Sequence, residues 1–139
     1  MKKEEGNHKD GKKDGKWVEY HESGTIEREG NYKDAKKEGK WFQYYESGEV
    51  KQEGSYKNGK LEGRWVEYYE NGQVRWERSY KDGKQVGKDV VFYENGQVSL
   101  EANFKDGKSD GWVEYYENGK VKKEGNNIED WMFYEEDIG

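Results

Sequence analysis

The chain has 139 residues, of which 40% are charged and only 29% belong to the apolar set, and 31 acidic against 25 basic residues leave a net charge of −6. So few aliphatic side chains exclude a globule packed from Leu and Val, while the 16% aromatic content, the lack of Pro and the small net charge argue against a disordered chain. The lack of Cys excludes a disulfide framework, a thiol nucleophile and a zinc finger, and the mild acidity argues against nucleic acid as a partner.

No segment approaches the roughly 18 consecutive apolar residues of a membrane span, so membrane insertion is not expected. The segment at 1–5 is charged and has no apolar stretch typical of a signal peptide. Nothing in the sequence distinguishes a cytoplasmic protein from a secreted one.

The sequence is internally repetitive, with a period of 24 residues marked by Gly15, Gly39, Gly63, Gly87 and Gly111. Trp, Tyr and further Gly residues recur in fixed slots of each copy. The pattern predicts a single array with no linker over 1–139. Its parts are a half repeat at 4–14, repeats at 15–38, 39–62, 63–86, 87–110 and 111–130, and a half repeat at 131–139.

Each repeat contains two strand-like runs, and both of their boundaries are turn signals. The first kind comprises Ser23-Gly24, Ser47-Gly48, Asn71-Gly72, Asn95-Gly96 and Asn118-Gly119. The second kind comprises Asp10-Gly11, Asn58-Gly59, Asp82-Gly83 and Asp106-Gly107. Both kinds predict two-residue type I′ hairpin loops, in which both central residues need positive φ.

The loop lengths predict a strand register. The first kind of loop pairs Glu22 with Thr25, Glu19 with Arg28 and Trp17 with Gly30, and the same rule pairs Trp41/Gly54, Trp65/Arg78, Asp89/Ala102 and Trp112/Gly125. These pairs match chemically, because an aromatic ring over a strand Gly repairs its weak packing. The second kind pairs Glu29/Lys40, Glu53/Arg64 and Glu77/Lys88 as ion pairs, and sets Lys33 opposite Lys36.

The predicted fold is therefore all-β: a single-layer antiparallel meander of tandem 24-residue β-hairpin repeats, forming an elongated twisted sheet. Its 11 or 12 strands would extend about 50–55 Å. In the repeat at Gly63, alternation places Trp65, Tyr69, Val74 and Tyr80 on an aromatic-rich face and Val66, Tyr68, Glu70 and Glu77 on a mixed face.

The motif Gly-x-Trp-x-x-Tyr-Tyr-x-Asn-Gly-x-Val, followed by Glu-Gly-x-Tyr-x-Asp-Gly-Lys, resembles the MORN repeat in its bacterial variant form. The resemblance covers about residues 4–136 and is clearest at 39–60 and 63–84. It implies a scaffold that binds proteins, with lipid binding proposed for some members and an antitoxin-like role, through binding to a toxin, for bacterial ones. Departures from the pattern include Asp89 in a Trp slot, Ala35 in a turn-Gly slot, and His8 and His21 in Tyr slots.

Catalysis finds little support in the sequence. Both histidines are interpreted as aromatic-slot substitutions, and no motif sets them against a nucleophile. The recurring acids Glu29, Glu53, Glu77, Glu101 and Glu124 are interpreted as members of ion pairs. The cluster of Lys33, Lys36, Lys37 and Lys40 is interpreted as a solvated edge. No metal or cofactor is expected, because the turns lack calcium-loop spacing.

One region departs from the charge pattern of the repeats. The predicted registers gather Val74, Trp76, Val91 and Leu100 into an apolar patch on the aromatic face, and Arg78 is expected to stack on the neighbouring Trp65. An exposed patch of this kind marks an interface, so these six residues are candidate contacts for a partner or a second copy of the chain. A better-packed central repeat is the alternative interpretation.

The function that follows is a non-enzymatic interaction module that binds a protein partner, or itself, through the aromatic face. The alternative is a surface module that holds glycan or lipid on the same face, because Trp and Tyr recurring every 24 residues suit stacking on sugars.

Overall fold

The computed structural model describes residues 3–126. They form one antiparallel sheet of 12 strands, in which neighbours follow chain order and only the short β8 lies off the path, paired with β7. The strands are β1 (Glu4–Lys9), β2 (Lys12–Tyr20), β3 (Ile26–Lys33), β4 (Lys36–Tyr44), β5 (Val50–Lys57), β6 (Lys60–Tyr68), β7 (Val74–Lys81), β8 (Lys84–Gln85), β9 (Gly87–Phe92), β10 (Val98–Lys105), β11 (Lys108–Tyr115) and β12 (Val121–Gly125). The predicted all-β meander of hairpin repeats is confirmed. The half repeat predicted at 131–139, and the end of the repeat at 111–130, lie outside the described residues.

The second kind of turn has the predicted geometry. At the first of these turns both Asp10 (φ 53°) and Gly11 (φ 78°) occupy the left-handed region, as a type I′ turn requires. At the next such turn, Asp34 (φ 50°) and Ala35 (φ 67°) set Lys33 opposite Lys36, as predicted.

The first kind of turn differs from the prediction. Only Gly24 has positive φ (97°) there, while Ser23 does not. The His21 N–H donates to the Thr25 carbonyl (2.8 Å), and the Gly24 N–H donates to the His21 carbonyl (2.9 Å). This is a three-residue loop, a type I turn closed by a glycine bulge, so the predicted pairing of Glu22 with Thr25 is wrong.

Beyond these loops the predicted register holds, because a one-residue irregularity between Glu19 and Tyr20 restores it. Glu19 lies opposite Arg28 and Trp17 opposite Gly30. The corresponding pairs in later repeats are also found, namely Trp41/Gly54, Trp65/Arg78, Asp89/Ala102 and Trp112/Gly125.

The register after the second kind of turn is wrong beyond its first few pairs. Glu29 faces Phe42 rather than Lys40, because β4 accommodates extra residues around Gly39, whose φ is 74°. The same shift places Glu53 opposite Val66 and Glu77 opposite Val90, so the three predicted ion pairs with Lys40, Arg64 and Lys88 are not register partners.

The pairing also decides the faces of the sheet. Trp65 and Tyr80 lie on one face and Val66 and Tyr68 on the other, as predicted. Val74 pairs directly with Tyr68, so it lies on the face of Tyr68 and not on that of Trp65. The bulge beside the loop causes this difference, since a one-residue shift moves a side chain to the opposite face.

The buried apolar side chains fall into two groups. The tryptophans Trp17, Trp41 and Trp65 are only 4–5% exposed along the first half of the sheet. Further along, one cluster contains Val91, Leu100, Ala102, Phe104 and Trp112, with Trp76 packed against it. No helix that could cross a membrane occurs among the described residues.

Candidate functional site

The aromatic face carries a continuous column of rings, which we call the aromatic column. Its members, in order, are His8, Trp17, Tyr32, Trp41, Tyr56, Trp65 and Tyr80. Neighbouring rings meet edge to face, with centroids 5.1 Å apart at Tyr56–Trp65 and 6.4 Å apart at Trp65–Tyr80. Each such pair stabilises by about 0.5–1.5 kcal/mol beyond its buried area. The column therefore uses its ring surfaces for contacts between repeats.

Each indole of the column covers a glycine of the preceding strand. A Cβ atom at Gly30 would lie 2.1 Å from Trp41 Cδ2, and a Cβ atom at Gly54 would lie 2.0 Å from Trp65 Cδ2. The predicted register pair Trp41/Gly54 is found, but the indole of Trp41 covers Gly30 of the preceding strand rather than Gly54. The extra residues of β4 bring Trp41 back over Gly30, where its Nε1–H donates to the Asn31 carbonyl (3.0 Å).

The last repeat shows what happens when the glycine is absent. Trp112 faces Ala102 on the preceding strand, and that residue already has a Cβ atom. The indole instead lies over Gly125 of the following strand, 2.8 Å from where a Cβ atom would stand, as predicted.

In the fourth repeat an ion pair replaces the Trp–Gly pair. Arg78 stands in the Gly slot and Asp89 in the Trp slot, and Arg78 Nε donates to Asp89 Oδ2 (3.0 Å). Asp89 is fully buried, and Gln85 Nε2 donates to the same oxygen (2.7 Å). The guanidinium Cζ lies 4.3 Å from the ring centroid of Trp76, whereas the sequence predicted stacking on Trp65, the register partner of Arg78. The two departures from the repeat are thus complementary to each other.

A second series of contacts bonds each repeat to the backbone of the next. The Tyr45 hydroxyl donates to the Tyr68 carbonyl (2.6 Å), and the Tyr69 hydroxyl donates to the Phe92 carbonyl (2.6 Å). In the first repeat His21 occupies the same slot, and its Nε2 lies 2.9 Å from the Tyr44 carbonyl. The imidazole thus takes the place of the phenol, which agrees with its interpretation as an aromatic-slot substitution.

The recurring glutamates on the mixed face bind tyrosines, a role that the sequence analysis missed. The Tyr44 hydroxyl donates to Glu29 Oε2 and the Tyr68 hydroxyl to Glu53 Oε1, both at 2.7 Å. Burial and then the hydrogen bond to Glu29 raise the pKa of Tyr44 to about 12. Within residues 3–126 none of the three expected ion pairs forms; Arg64 Nη2 instead reaches Glu77 Oε1 at 2.8 Å, and Lys88 Nζ reaches Glu101 Oε2 at 3.6 Å. The 24-residue recurrence of both Tyr and Glu was a signal that could have found these bonds.

The structure divides the six predicted binding residues. Trp76, Val91 and Leu100 form one cross-strand row, but Val74 lies on the opposite face. Leu100 is 1% and Val91 7% exposed, so the expected exposed patch is instead part of the core. Trp65 is buried as well, whereas Trp76, Val74 and Arg78 are half-buried.

The hairpin turns line the two long sides of the sheet, and these two edges carry opposite charge. The type I′ turns place ten exposed lysines on one edge, which we call the lysine edge: Lys9, Lys12, Lys33, Lys36, Lys57, Lys60, Lys81, Lys84, Lys105 and Lys108. The three-residue loops place exposed glutamates on the other edge, the acidic edge: Glu22, Glu46, Glu49, Glu70, Glu94 and Glu117. The turns themselves are predicted from the sequence, whereas their alignment into two charged edges is not.

Successive tips of the lysine edge are hydrogen-bonded to each other. The N–H of Ala35 donates to the Lys13 carbonyl, and that of Gly59 to the Lys37 carbonyl, both at 3.0 Å. Glu38 Oε1 accepts from the Asn58 N–H at 3.1 Å. These contacts hold the tips in a fixed row, so the lysines form an ordered surface.

No group of three or more His, Asp or Glu side chains suited to a metal ion occurs within residues 3–126. His8 packs edge-on against Trp17, with ring centroids 5.5 Å apart. Both histidines are therefore engaged in packing or bonding between repeats.

Comparison with known structures shows only distant likeness. A GtfA/B complex aligns with a TM-score of 0.44 and 8% identity over 88% of this chain. The same complex bound to UDP and GlcNAc gives 0.32 and 7% over 86%. A mutant of S. aureus TarM in complex with fondaparinux, alpha-GlcNAc-glycerol and UDP gives 0.31 and 14% over 88%. The chain spans 21%, 24% and 21% of the length of these proteins. No curated protein matches the sequence.

The family comparison agrees with the repeat structure. The sequence model of the family described as MORN repeat variant matches five tandem segments, at residues 13–34, 37–58, 61–82, 85–106 and 112–126. Repeats of this family mediate protein or membrane interactions and are generally non-catalytic modules. With these five matches covering most of its length, the chain belongs to the MORN repeat variant family.

Proposed function

We propose that this protein is a non-catalytic scaffold that binds a protein partner with an acidic surface along the lysine edge. The observation that carries the proposal is the row of ten exposed lysines, paired across every type I′ turn. Like charges directly opposite each other are destabilising in a sheet. Their recurrence at every described tip, in a chain of net charge −6, supports a role in binding.

The burial of the aromatic side chains also favours the lysine edge as the binding surface. The rings of the aromatic column contact each other, and Trp41 and Trp65 are 4% and 5% exposed. Stacking on a sugar needs an open ring face, so the glycan or lipid alternative on the aromatic face has less support. The lysine tips, in contrast, are exposed and held in fixed positions by the bonds between successive turns.

Binding along the lysine edge would be electrostatic and multivalent. A single exposed ion pair contributes only about 0–1 kcal/mol, so a partner must contact several tips at once. Its association would be steered by complementary charge and weakened by salt, because the contacts are solvent-exposed. A toxin-neutralising role is a narrower form of this proposal, favoured by tight binding to one protein with fixed stoichiometry.

The test is affinity capture with edge variants. Lys57 and Lys60 flank Asn58, at a tip without an Asp, and the double variant Lys57→Glu/Lys60→Glu reverses its charge. We expect a captured acidic protein to bind this variant at least about tenfold more weakly. The matched control Glu46→Lys, on the acidic edge, should retain the partner. Equal retention of the same proteins by wild type and by the lysine variant would contradict the proposal.

The half-buried part of the predicted patch remains a candidate second contact. Trp76 packs against the apolar cluster while one side stays partly accessible, and its Nε1 donates to Glu67 Oε2 (3.0 Å). If Trp76 contacts the partner, Trp76→Ala weakens binding about tenfold while the circular dichroism spectrum is unchanged. Unchanged affinity would leave Trp76 with only a packing role.

A further inference from the structure

A small cavity opens on the aromatic face across the first and second repeats. Its volume is about 150 Å³. Its lining includes two cations, two amides and two aromatic rings: Arg28, Lys37, Gln43, Gln52, Tyr56 and Trp65.

Acidic side chains neutralise the two cations of the cavity only in part. Arg28 Nη1 reaches Glu19 Oε2 at 3.2 Å, which engages one end of its guanidinium. Lys37 Nζ lies 4.8 Å from the ring centroid of Trp41 and 5.1 Å from that of Tyr56, and it forms no ion pair among residues 3–126. Burial, and then the charge of Arg28, lower the pKa of Lys37. The sequence interpretation of Lys37 as part of a solvated edge is therefore wrong.

The equivalent positions one repeat earlier, 24 residues back in the sequence, provide a comparison. Lys13 occupies the slot of Lys37 and lies over Trp17 in the same way, 4.2 Å from the ring centroid. There the slot of Gln43 is filled by Glu19, whose carboxylate binds Arg28. The anion that this position requires is thus supplied by the chain itself.

One unit later the comparison gives the opposite result. Leu61 replaces Lys37, and Trp76 stands in the slot of Gln52. That position has no lysine, and Glu67 fills the slot of Gln43, where it accepts from Gln52 Nε2 (3.4 Å) and Trp76 Nε1 (3.0 Å). A lysine and an arginine of the first repeat and two amides of the second thus face one cavity.

The geometry points to a binding site for a small organic carboxylate in this cavity. The carboxylate lies beside Gln43, which stands in the slot of Glu19, and supplies the acid that this slot lacks. It accepts hydrogen bonds from the guanidinium of Arg28, whose planar fork suits two oxygens, and from the amide of Gln43, because the amide of Gln52 already donates to Glu67. The Lys37 ammonium supplies a second positive charge next to the carboxylate, and the rings of Tyr56 and Trp65 contact the rest of the ligand.

The ligand could be a simple carboxylate or the carboxylate of an acidic sugar, since both present the same group. Titrations with acetate, glucuronate, neutral glucose and inorganic phosphate, followed by tryptophan fluorescence and NMR at low ionic strength, distinguish these sources. We expect saturable binding of acetate or glucuronate. Glucose gives none. Phosphate tests for a general anion site, because the guanidinium fork also binds phosphate, and phosphate binding as tight as that of the carboxylates would overturn the assignment to a carboxylate.

Matched variants locate the site. Lys37→Met keeps the apolar stem on the rings and should weaken carboxylate binding about tenfold or more. Lys13→Met, the same change one repeat earlier, should leave it unchanged. Gln43→Glu places an internal carboxylate beside Arg28 and should abolish binding while raising the melting temperature. Glu19→Gln frees Arg28 and should strengthen binding.

The carboxylate site does not depend on protein binding at the lysine edge, because its lysine side chain, Lys37, lies over Trp41 and Tyr56 and is not one of the ten edge lysines. A chain that binds no protein partner but binds carboxylate at Lys37 supports it. It is overturned if neither carboxylate binds saturably, if glucose binds equally well, or if Lys37→Met binds as tightly as wild type while its circular dichroism spectrum is unchanged.

Discussion

The substitution Gly30→Ala probes the packing of each indole on the preceding strand. Alanine normally stabilises a position with ordinary φ by about 0.4–1 kcal/mol relative to glycine, because it restricts the unfolded chain. Gly30 has no positive φ, so its backbone accepts alanine. The added methyl group, however, would lie 2.1 Å from Trp41 Cδ2. The sign of the stability change therefore distinguishes an ordinary strand glycine from one that an indole covers.

The magnitude follows from the contacts. Displacing the buried Trp41 ring costs about 1–3 kcal/mol as overpacking. Losing the bond from its Nε1 to the Asn31 carbonyl costs about 0.5–1.5 kcal/mol more. After the gain from alanine is subtracted, Gly30→Ala should destabilise the chain by about 0.5–4 kcal/mol.

Urea unfolding followed by circular dichroism and tryptophan fluorescence measures this change as a lower midpoint with unchanged slope. Gly48→Ala is the control, because Gly48 has φ 95° and open space around it, so it reports backbone strain alone. Combining Gly30→Ala with Trp41→Leu should cost less than the sum of the two single changes. A neutral or stabilising Gly30→Ala would refute the proposed packing.

Three further predictions concern stability. Ala35 occupies the left-handed region at φ 67°, so Ala35→Gly should raise the free energy of unfolding by about 0.5–1 kcal/mol, and no gain in a urea titration would contradict the strain. Asp89→Ala leaves the Arg78 guanidinium without its buried carboxylate and should cost about 3–5 kcal/mol, against at most about 1 kcal/mol for Arg64→Ala at an exposed pair; similar losses would contradict this. The folded-state pKa of Tyr44, about 12, lies above its unfolded value of about 10, so this contribution to stability is complete below pH 10 and is lost as the pH rises towards 12. Thermal melts between pH 10 and about pH 12 should show a smaller loss of stability for Tyr44→Phe than for the wild-type protein. Equal losses in the two proteins would contradict this prediction.

Much of the fold could be predicted from sequence because the repeat constrains it strongly. The Asp-Gly turns fix type I′ geometry, and the alternation beyond each bulge gives pairs such as Glu19 with Arg28. The errors in the predicted register arise at glycines with positive φ, where one strand or loop contains more residues than the prediction allows. Gly24 closes a three-residue loop, and Gly39 shifts Glu29 from Lys40 to another partner. Single-sequence periodicity does not show such bulges, because they change the register without changing the repeat length.

The candidate sites were harder to predict. Arg78 and Asp89 were each recognised as departures from the repeat, but their contact depends on the bulged register. The same cause moved Val74 to the other face, and burial turned Leu100 from an expected surface residue into a core residue. Exposure depends on how neighbouring repeats cover a side chain, which residue spacing alone does not determine.

Adjacent repeats are held together by a pair of residues at two fixed positions of the repeat. In most repeats a Trp covers a Gly at these positions, and in the fourth an Asp binds an Arg. The central claim is that one pair can replace the other. A double-mutant cycle that transfers the Arg78–Asp89 pair to the second repeat tests it most directly. Gly30→Arg and Trp41→Asp should each destabilise the chain, because one clashes with the indole and the other buries an unpaired carboxylate. Together they should recover stability, with a coupling of at least about 2 kcal/mol in urea unfolding. Strictly additive losses would contradict the claim.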